Sequence, residues 1–370
     1  MKYALTVCLA FLLPCMGLRG ESEIRMRNIE NRMDALEHPS NTQPTHHPIT
    51  PCAGPKVREG MDLNLSASFL YWTARLDTLT YAKTGMTNLL ANPSPNKGEV
   101  QSVNWTWDPG FKVALGWNFC HGCWDMILEY TWFYTNVGDS KRSQFLQPGF
   151  EILTPAFATT TIPNFEKAHA HYDLHYQVGD LEIGRNFYVS RSLKLRPFIG
   201  IKGTWQKQDY NVFYETLPLQ VAMQQLLFNY SARFDHSVWG IGVRGGLNTS
   251  WQFSRIFSLY GNMAFSGLWL HYDTDRKDQF NLIDTTLPLT VERTTVNIQD
   301  HLRIIKPVIE LAIGLRAETY FGCGRYHFLL QAGWETQIWL NQTLLISLND
   351  HYDRFDLTLQ GLTIKARFDF

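Results

Sequence analysis

Beyond residue 20 the chain contains no run of about 18 apolar residues, so no membrane-spanning helix is expected. It also lacks an excess of either charge: 33 Lys and Arg stand against 34 Asp and Glu, a formal net charge of −1. A nucleic-acid binder concentrates cations against phosphate, so nucleic acid is not an expected partner. The catalytic signatures G-x-S-x-G and H-E-x-x-H and the phosphate-binding P-loop are missing. The chain is therefore expected not to be an enzyme and to need no cofactor or metal. His271, Asp273 and Asp275 lie together, but paired carboxylates near a loop are ordinarily solvated charges. Helical periodicity does not occur after residue 61.

Aromatic residues, by contrast, are abundant: 12 Trp, 16 Tyr and 23 Phe, 14% of the chain. An aromatic-rich, charge-balanced chain without a long apolar run has one other route into a membrane. That route is a closed β-barrel, in which only alternate residues need face lipid. From Met61 onward the period is two. In 111–119, Phe111, Val113, Leu115, Trp117 and Phe119 oppose Lys112, Ala114, Gly116 and Asn118. In 168–183 the alternation shifts face near Gly179, which reads as a β-bulge. The last segment, 362–370, alternates to its end on Phe370. A terminus that cannot fray fits a strand that pairs with the first.

The segments are separated by connections that alternate in length. Short ones fall near 120–123, 190–192, 248–254 and 322–324; long ones near 84–98, 138–166, 208–228, 272–300 and 343–354. Outer-membrane barrels have short periplasmic turns and longer external loops. This predicts an all-β, antiparallel, up-and-down transmembrane barrel of about 10 strands over 61–370, with 12 possible. Both termini would lie in the periplasm. Residues 1–20 read as a signal peptide. Residues 21–37 read as a short helix whose Met26, Ile29, Met33 and Leu36 form a candidate coiled-coil seam, and 38–60 as a Pro-rich linker.

Parity places Lys112, Arg196, Lys202, Arg244, Arg316, Lys365 and Arg367 on the lumen face, opposed by Asp125, Glu129, Asp180, Glu182, Glu310, Glu335 and Asp369. Near-balanced charges in a narrow bore are expected to pair across it and restrict flow. A second lumen row is expected from His169, His171, Asp173 and His175. Neighbouring members of that row would suit a metal, but a polar ladder facing water is the favoured reading, and no metal is assigned. The mature chain would keep Cys52, Cys120, Cys123 and Cys323, all on the periplasmic side by this topology. An oxidising periplasm favours disulfides among them or to neighbouring proteins, with the pairing open.

The stretches ASFLYWTARLDTLTYA (67–82), WDPGFKVALGW (107–117), DLEIGRNFYVS with LKLRPFIGIKGTW (180–205), WGIGVRGGLN (239–248) and LQGLTIKARFDF (359–370) resemble the Legionella-type major outer membrane protein family, which includes porin-like proteins of Chlamydia-related bacteria. The resemblance implies a pore-forming barrel in the bacterial outer membrane that passes small solutes. The alternative is a structural envelope barrel, disulfide-cross-linked or displaying its loops, with little conduction. The same resemblance implies outer-membrane lipid and the barrel-assembly machinery as partners, with Phe370 as the assembly signal. It also implies disulfide-linked envelope proteins or a homo-oligomer.

Overall fold

In the computed structural model, the structure describes residues 51–55, 57, 62–76, 79–85, 98–119, 123–150, 165–216, 219–221, 224–284, 290–346 and 352–370. The expected signal peptide and short helix, and the linker up to residue 50, lie outside them. Every element below belongs to one compact unit, residues 50–370.

Among the described residues, ten long strands close into an antiparallel ring. They are β1 (Leu63–Leu76), β4 (Asp108–Asn118), β5 (Trp124–Pro148), β6 (Phe165–Arg185), β8 (Leu193–Thr216), β10 (Gln224–Gln252), β11 (Phe257–Asp284), β12 (Thr290–Phe321), β13 (Tyr326–Ile346) and β14 (Tyr352–Asp369). Four short strands are added: β2 (Thr80–Thr84), β3 (Val100–Ser102), β7 (Phe187–Tyr188) and β9 (Leu219–Val221). β1 and β14 close the ring in unbroken register from Asn64↔Asp369 to Leu76↔Leu357. Phe370 and Leu63 exchange two backbone hydrogen bonds, of 3.0 and 3.2 Å, so the last residue is tied into the seam.

The strands are longer than a membrane requires. β10, β11 and β12 have 29, 28 and 32 residues, against roughly 9–11 for a tilted strand crossing the hydrocarbon. Much of what reads as long loops in the sequence is therefore continued strand. The connection expected at 272–300 shrinks to 285–289, between β11 and β12.

Side-chain pattern divides the barrel by height. In one half the outward residues are apolar and exposed, such as Leu115, Ile199, Val243, Phe265 and Ile313. Exposed aromatics edge this band at both ends. Trp117, Trp124, Trp251 and Tyr326 lie toward the short turns, and Tyr71, Trp107, Trp205, Trp239, Trp269 and Trp334 lie toward the long extensions. An apolar belt between two aromatic girdles is the lipid-facing surface of a transmembrane barrel. Beyond the second girdle the pattern inverts. Outward residues become polar, and inward ones form an apolar core of Leu70, Trp72, Tyr172, Leu174, Tyr176, Tyr210, Leu270, Tyr272, Trp339 and Leu359.

That inversion corrects the expected bulge at Gly179. β6 keeps continuous register with β5 from Arg185 to Lys167 and with β8 from Gly184 to Lys167. The strand does not slip; its apolar set moves from the outside to the inside where the wall leaves the membrane.

Candidate functional site: the lumen

The inward residues of the membrane half come from alternate positions of strands that are distant around the ring. Lys112 on β4 reaches Glu335 on β13 at 2.6 Å, across the intervening β1 and β14. It also lies 3.7 Å from Glu129, which pairs with Lys365 at 3.4 Å. Toward the other side of the ring, Lys202 on β8 sits 2.9 Å from both Asp180 and Glu310. Arg244 joins Glu310 at 2.6 Å and also binds Glu182. Arg196 then links Glu182 at 2.9 Å with Asp125 at 2.7 Å. Nearer the short turns, Glu318 takes Lys194 at 3.3 Å and Arg316 at 3.5 Å, while Asp369 takes His327 at 2.7 Å and Arg367 at 2.5 Å. Charges held in this low-dielectric bore are stabilised only by such pairing, since an unpaired ion there costs several kcal/mol.

The structure thus brings together Lys112, Glu129, Arg196, Lys202, Arg244, Glu310, Arg316, Lys365 and Arg367 on the interior face. Between them lies a cavity of about 120 Å³, lined by Lys112, Glu129, Glu182, Arg244, Glu310, Glu335 and Lys365 among others. The His row is a correction. His169, His171, Asp173 and His175 share parity with the exposed Leu181 and Ile183, and so point away from the lumen. The interior face of that stretch of β6 is taken instead by Ala170, Tyr172, Leu174 and Tyr176. The row is a polar outer wall, with His171 bound to Asp173 at 3.0 Å.

The lumen narrows again beyond the charged zone, through residues the sequence reading missed. β13 breaks register with β14 between Trp339 and Thr343, with Asn341 in the left-handed region at φ 52°. The displaced stretch projects inward. Gln342 donates to Gln206 on β8 at 3.0 Å, and Thr343 donates to Gln208 at 2.6 Å. Tyr176 bonds Gln337 at 2.6 Å and meets Trp339 edge-on at 5.7 Å. The only sequence signal is the Asn within WLNQT, since Asn tolerates left-handed backbone.

At the opposite mouth, residues 51–55 run along the rim. Tyr188 donates to the Pro51 carbonyl at 3.0 Å and Ala53 donates to Asn186 at 3.3 Å. Ala53 and Pro55 border a cavity of about 100 Å³ whose other walls include Lys194, Arg196, Arg316, Glu318 and His327. A disulfide between Cys52 and Cys123 fixes this segment, with a Cα–Cα distance of 5.5 Å. Cys323 is an exposed free thiol, and Cys120 lies outside the described residues.

A closed barrel with a lipid-facing apolar belt, two aromatic girdles and a polar interior is an outer-membrane β-barrel protein. The family model described as Legionella pneumophila major outer membrane protein precursor matches residues 54–370, and the chain belongs to that family. No curated protein sequence matches. Among solved structures, the chain is similar to the outer membrane protease OmpT from Escherichia coli, at 12% identity and a TM-score of 0.33, covering 86% of this chain and 99% of that one. It is also similar to the P. putida toluene transporter TodX, at 8% identity and a TM-score of 0.29, covering 85% and 91%. A Pseudomonas aeruginosa FadL homologue matches at 11% identity and a TM-score of 0.25, covering 83% and 90%. The expectation that the chain is no enzyme is corrected here. Outer-membrane enzymes, a protease among them, stand among these similar barrels at low identity, and missing soluble-enzyme motifs are not by themselves evidence against catalysis. At such identities the likenesses assign no activity to this chain.

Proposed function

We propose that the protein passes small solutes through the outer membrane, by way of a lumen held narrow by cross-barrel pairs. The observation that carries this reading is the charged bore. A barrel serving only as scaffold has no need of Lys112, Lys202, Arg244, Glu129, Glu310 and Glu335 at membrane depth, where each ion costs several kcal/mol to desolvate. Its interior would be filled as the half beyond the membrane is, by aromatic and aliphatic side chains. Ten strands leave little space, so passage is confined to ions and small molecules. Two barriers lie in series, the ion-pair zone and the Gln206–Gln342 crossing. In this reading the short turns and both ends of the barrel chain face the periplasm. Phe370 presents the signal read by the assembly machinery.

Planar-bilayer recording of the purified protein tests the proposal. Wild type gives small discrete conductance steps, and the double exchange Lys112→Ala with Glu335→Ala enlarges them. Absence of steps in both proteins over a wide voltage range would sink the pore reading. Orientation is checked on intact cells with a membrane-impermeant maleimide, which should leave the exposed Cys323 unlabelled.

A further inference from the structure

The cavity of about 120 Å³ in the membrane half lies between two groups of lumen charges, one built on Lys112 and Glu335, the other on Arg244 and Glu310. The charges around it are not held alike. Glu335 accepts from Lys112 at 2.6 Å, Gln337 at 3.0 Å and Thr363 at 3.1 Å. Glu310 is gripped by Lys202 at 2.9 Å and Arg244 at 2.6 Å. Glu129 makes only long ion-pair contacts, 3.4 Å to Lys365 and 3.7 Å to Lys112, and it is the one ion-pair partner of Lys365 among the described residues. The side chains of Glu129 and Lys365 are 22% and 24% exposed, against 9% to 13% for the other charged residues of the cavity wall. This loosely held pair is the one that opens onto the cavity.

Two further atoms in the same wall are unsatisfied. Arg244 Nε and the Asn262 side-chain oxygen are buried and make no hydrogen bond. They leave one donor and one acceptor for a guest. The walls around them are nearly balanced in sign, so an ion of either charge meets about as much repulsion as attraction there. Such an ion would give up its hydration for no net gain. An uncharged solute can touch both signs but cannot stand in for either partner of a pair. A dipolar ion carries a cation and an anion on one small frame. Its carboxylate can lie on Lys365 while its ammonium lies on Glu129, through charge-assisted hydrogen bonds, and the net charge of the bore does not change.

We propose that this cavity is a selectivity site for small dipolar ions, α-amino acids of the size of glycine or alanine. The inference rests on the solute passage proposed above and names the class of solute that the bore favours. At about 30 Å³ for each water of the liquid, the cavity has room for about four waters. That admits the smallest amino acids, whereas a bulky side chain would need the wall to part. With amine and carboxylate on the same carbon, the two charges stand about as far apart as Glu129 and Lys365 do, so the solute can lie antiparallel to that pair. Arg244 Nε then has a carboxylate within the cavity to which it can donate, and Asn262 an ammonium from which it can accept.

The test compares glycine with glycolamide, its uncharged isomer, and with glycolate and ethanolamine, each of which keeps one of its two charges. Entry of each labelled solute is followed in proteoliposomes carrying the full-length protein. Binding is read separately, by saturation-transfer NMR on the same protein in micelles. Glycine is expected to bind and to enter about tenfold better than glycolamide, the factor that a hydrogen bond to a charged group contributes, and better than either single ion. Glu129→Gln with Lys365→Gln should abolish the preference for glycine over glycolamide. Heat-modified gel migration verifies that the variant is folded. Equal binding of glycine and glycolamide overturns the inference, whether or not either solute enters. So does an undiminished preference for glycine in the double variant. Preferential binding of glycine without entry of any solute supports the site and overturns the passage reading instead.

Discussion

His236 shows what the change of solvent does to a single residue. It sits inside the barrel beyond the girdle, fully buried beside Tyr272, with Nδ1 at 3.1 Å from the Thr274 hydroxyl. Burial, with Lys306 as a lesser cause, holds its imidazole down at about 4 from an ordinary 6.5. A group that must stay neutral to remain folded stabilises the protein above its unfolded value. That contribution is lost as pH falls from 6.5 through 4, and amounts to about 3 kcal/mol. Urea unfolding in micelles at pH 7 and pH 4 should show this loss, and His236→Gln should shrink it relative to wild type. On the outer wall Asp209 shows the opposite displacement. Burial first, and then Asp235 across the ladder, hold its carboxyl above the usual range. The polar or charged identity of both residues was plain in the sequence. Their surroundings were not, because they depend on which face of the strand is wet at that height.

At the level of the strand, position along the barrel decides the sign of a substitution. Leu115 faces lipid between Leu65 and Leu128. Leu115→Arg should cost about 2–4 kcal/mol, seen as a lower urea midpoint and poorer membrane assembly. The same charge at His169, outward on β6 but beyond the girdle, should change neither measurement by more than about 0.5 kcal/mol. Equal damage at the two sites would show that the outer wall is lipid-covered throughout. Gly361 marks a different constraint. A Cβ there would strike the Tyr71 carbonyl and come within 2.8 Å of the Trp72 Cα, at the seam between β1 and β14. Gly361→Ala should therefore slow closure, read as a longer-lived unfolded band on refolding gels. The membrane part of every strand was legible, because period two and apolar-outward hold there together. The extensions were not, because their apolar residues turn inward. Leu268, Leu270 and Tyr272 continue β11 on the face opposite Phe265 and Trp269, and this reads as the end of a strand.

For the molecule as a whole, closure depends on its last residues. Phe370 contributes two backbone bonds to the seam, and Asp369 beside it is fully buried against His327 and Arg367. Deleting Phe370 should cost about 1–3 kcal/mol from the two lost bonds and reduce surface levels. Normal levels with an unchanged urea midpoint would show the residue dispensable. The alternation of turns and extensions foretold the ring and its number of strands. The side chains that narrow it came from the β13 irregularity, whose depth in the lumen no local pattern encodes. The bond between Cys52 and Cys123 has a mechanical consequence. Leu63 is the first residue of β1 and half of the seam, so a pull on the chain ahead of it would peel the barrel open one hydrogen bond at a time. The disulfide intercepts that load. Tension arriving from residues before Cys52 passes into the turn ahead of β5, and β1 carries none of it. A cell can thus tether this barrel by its leading segment without straining the joint that keeps it shut.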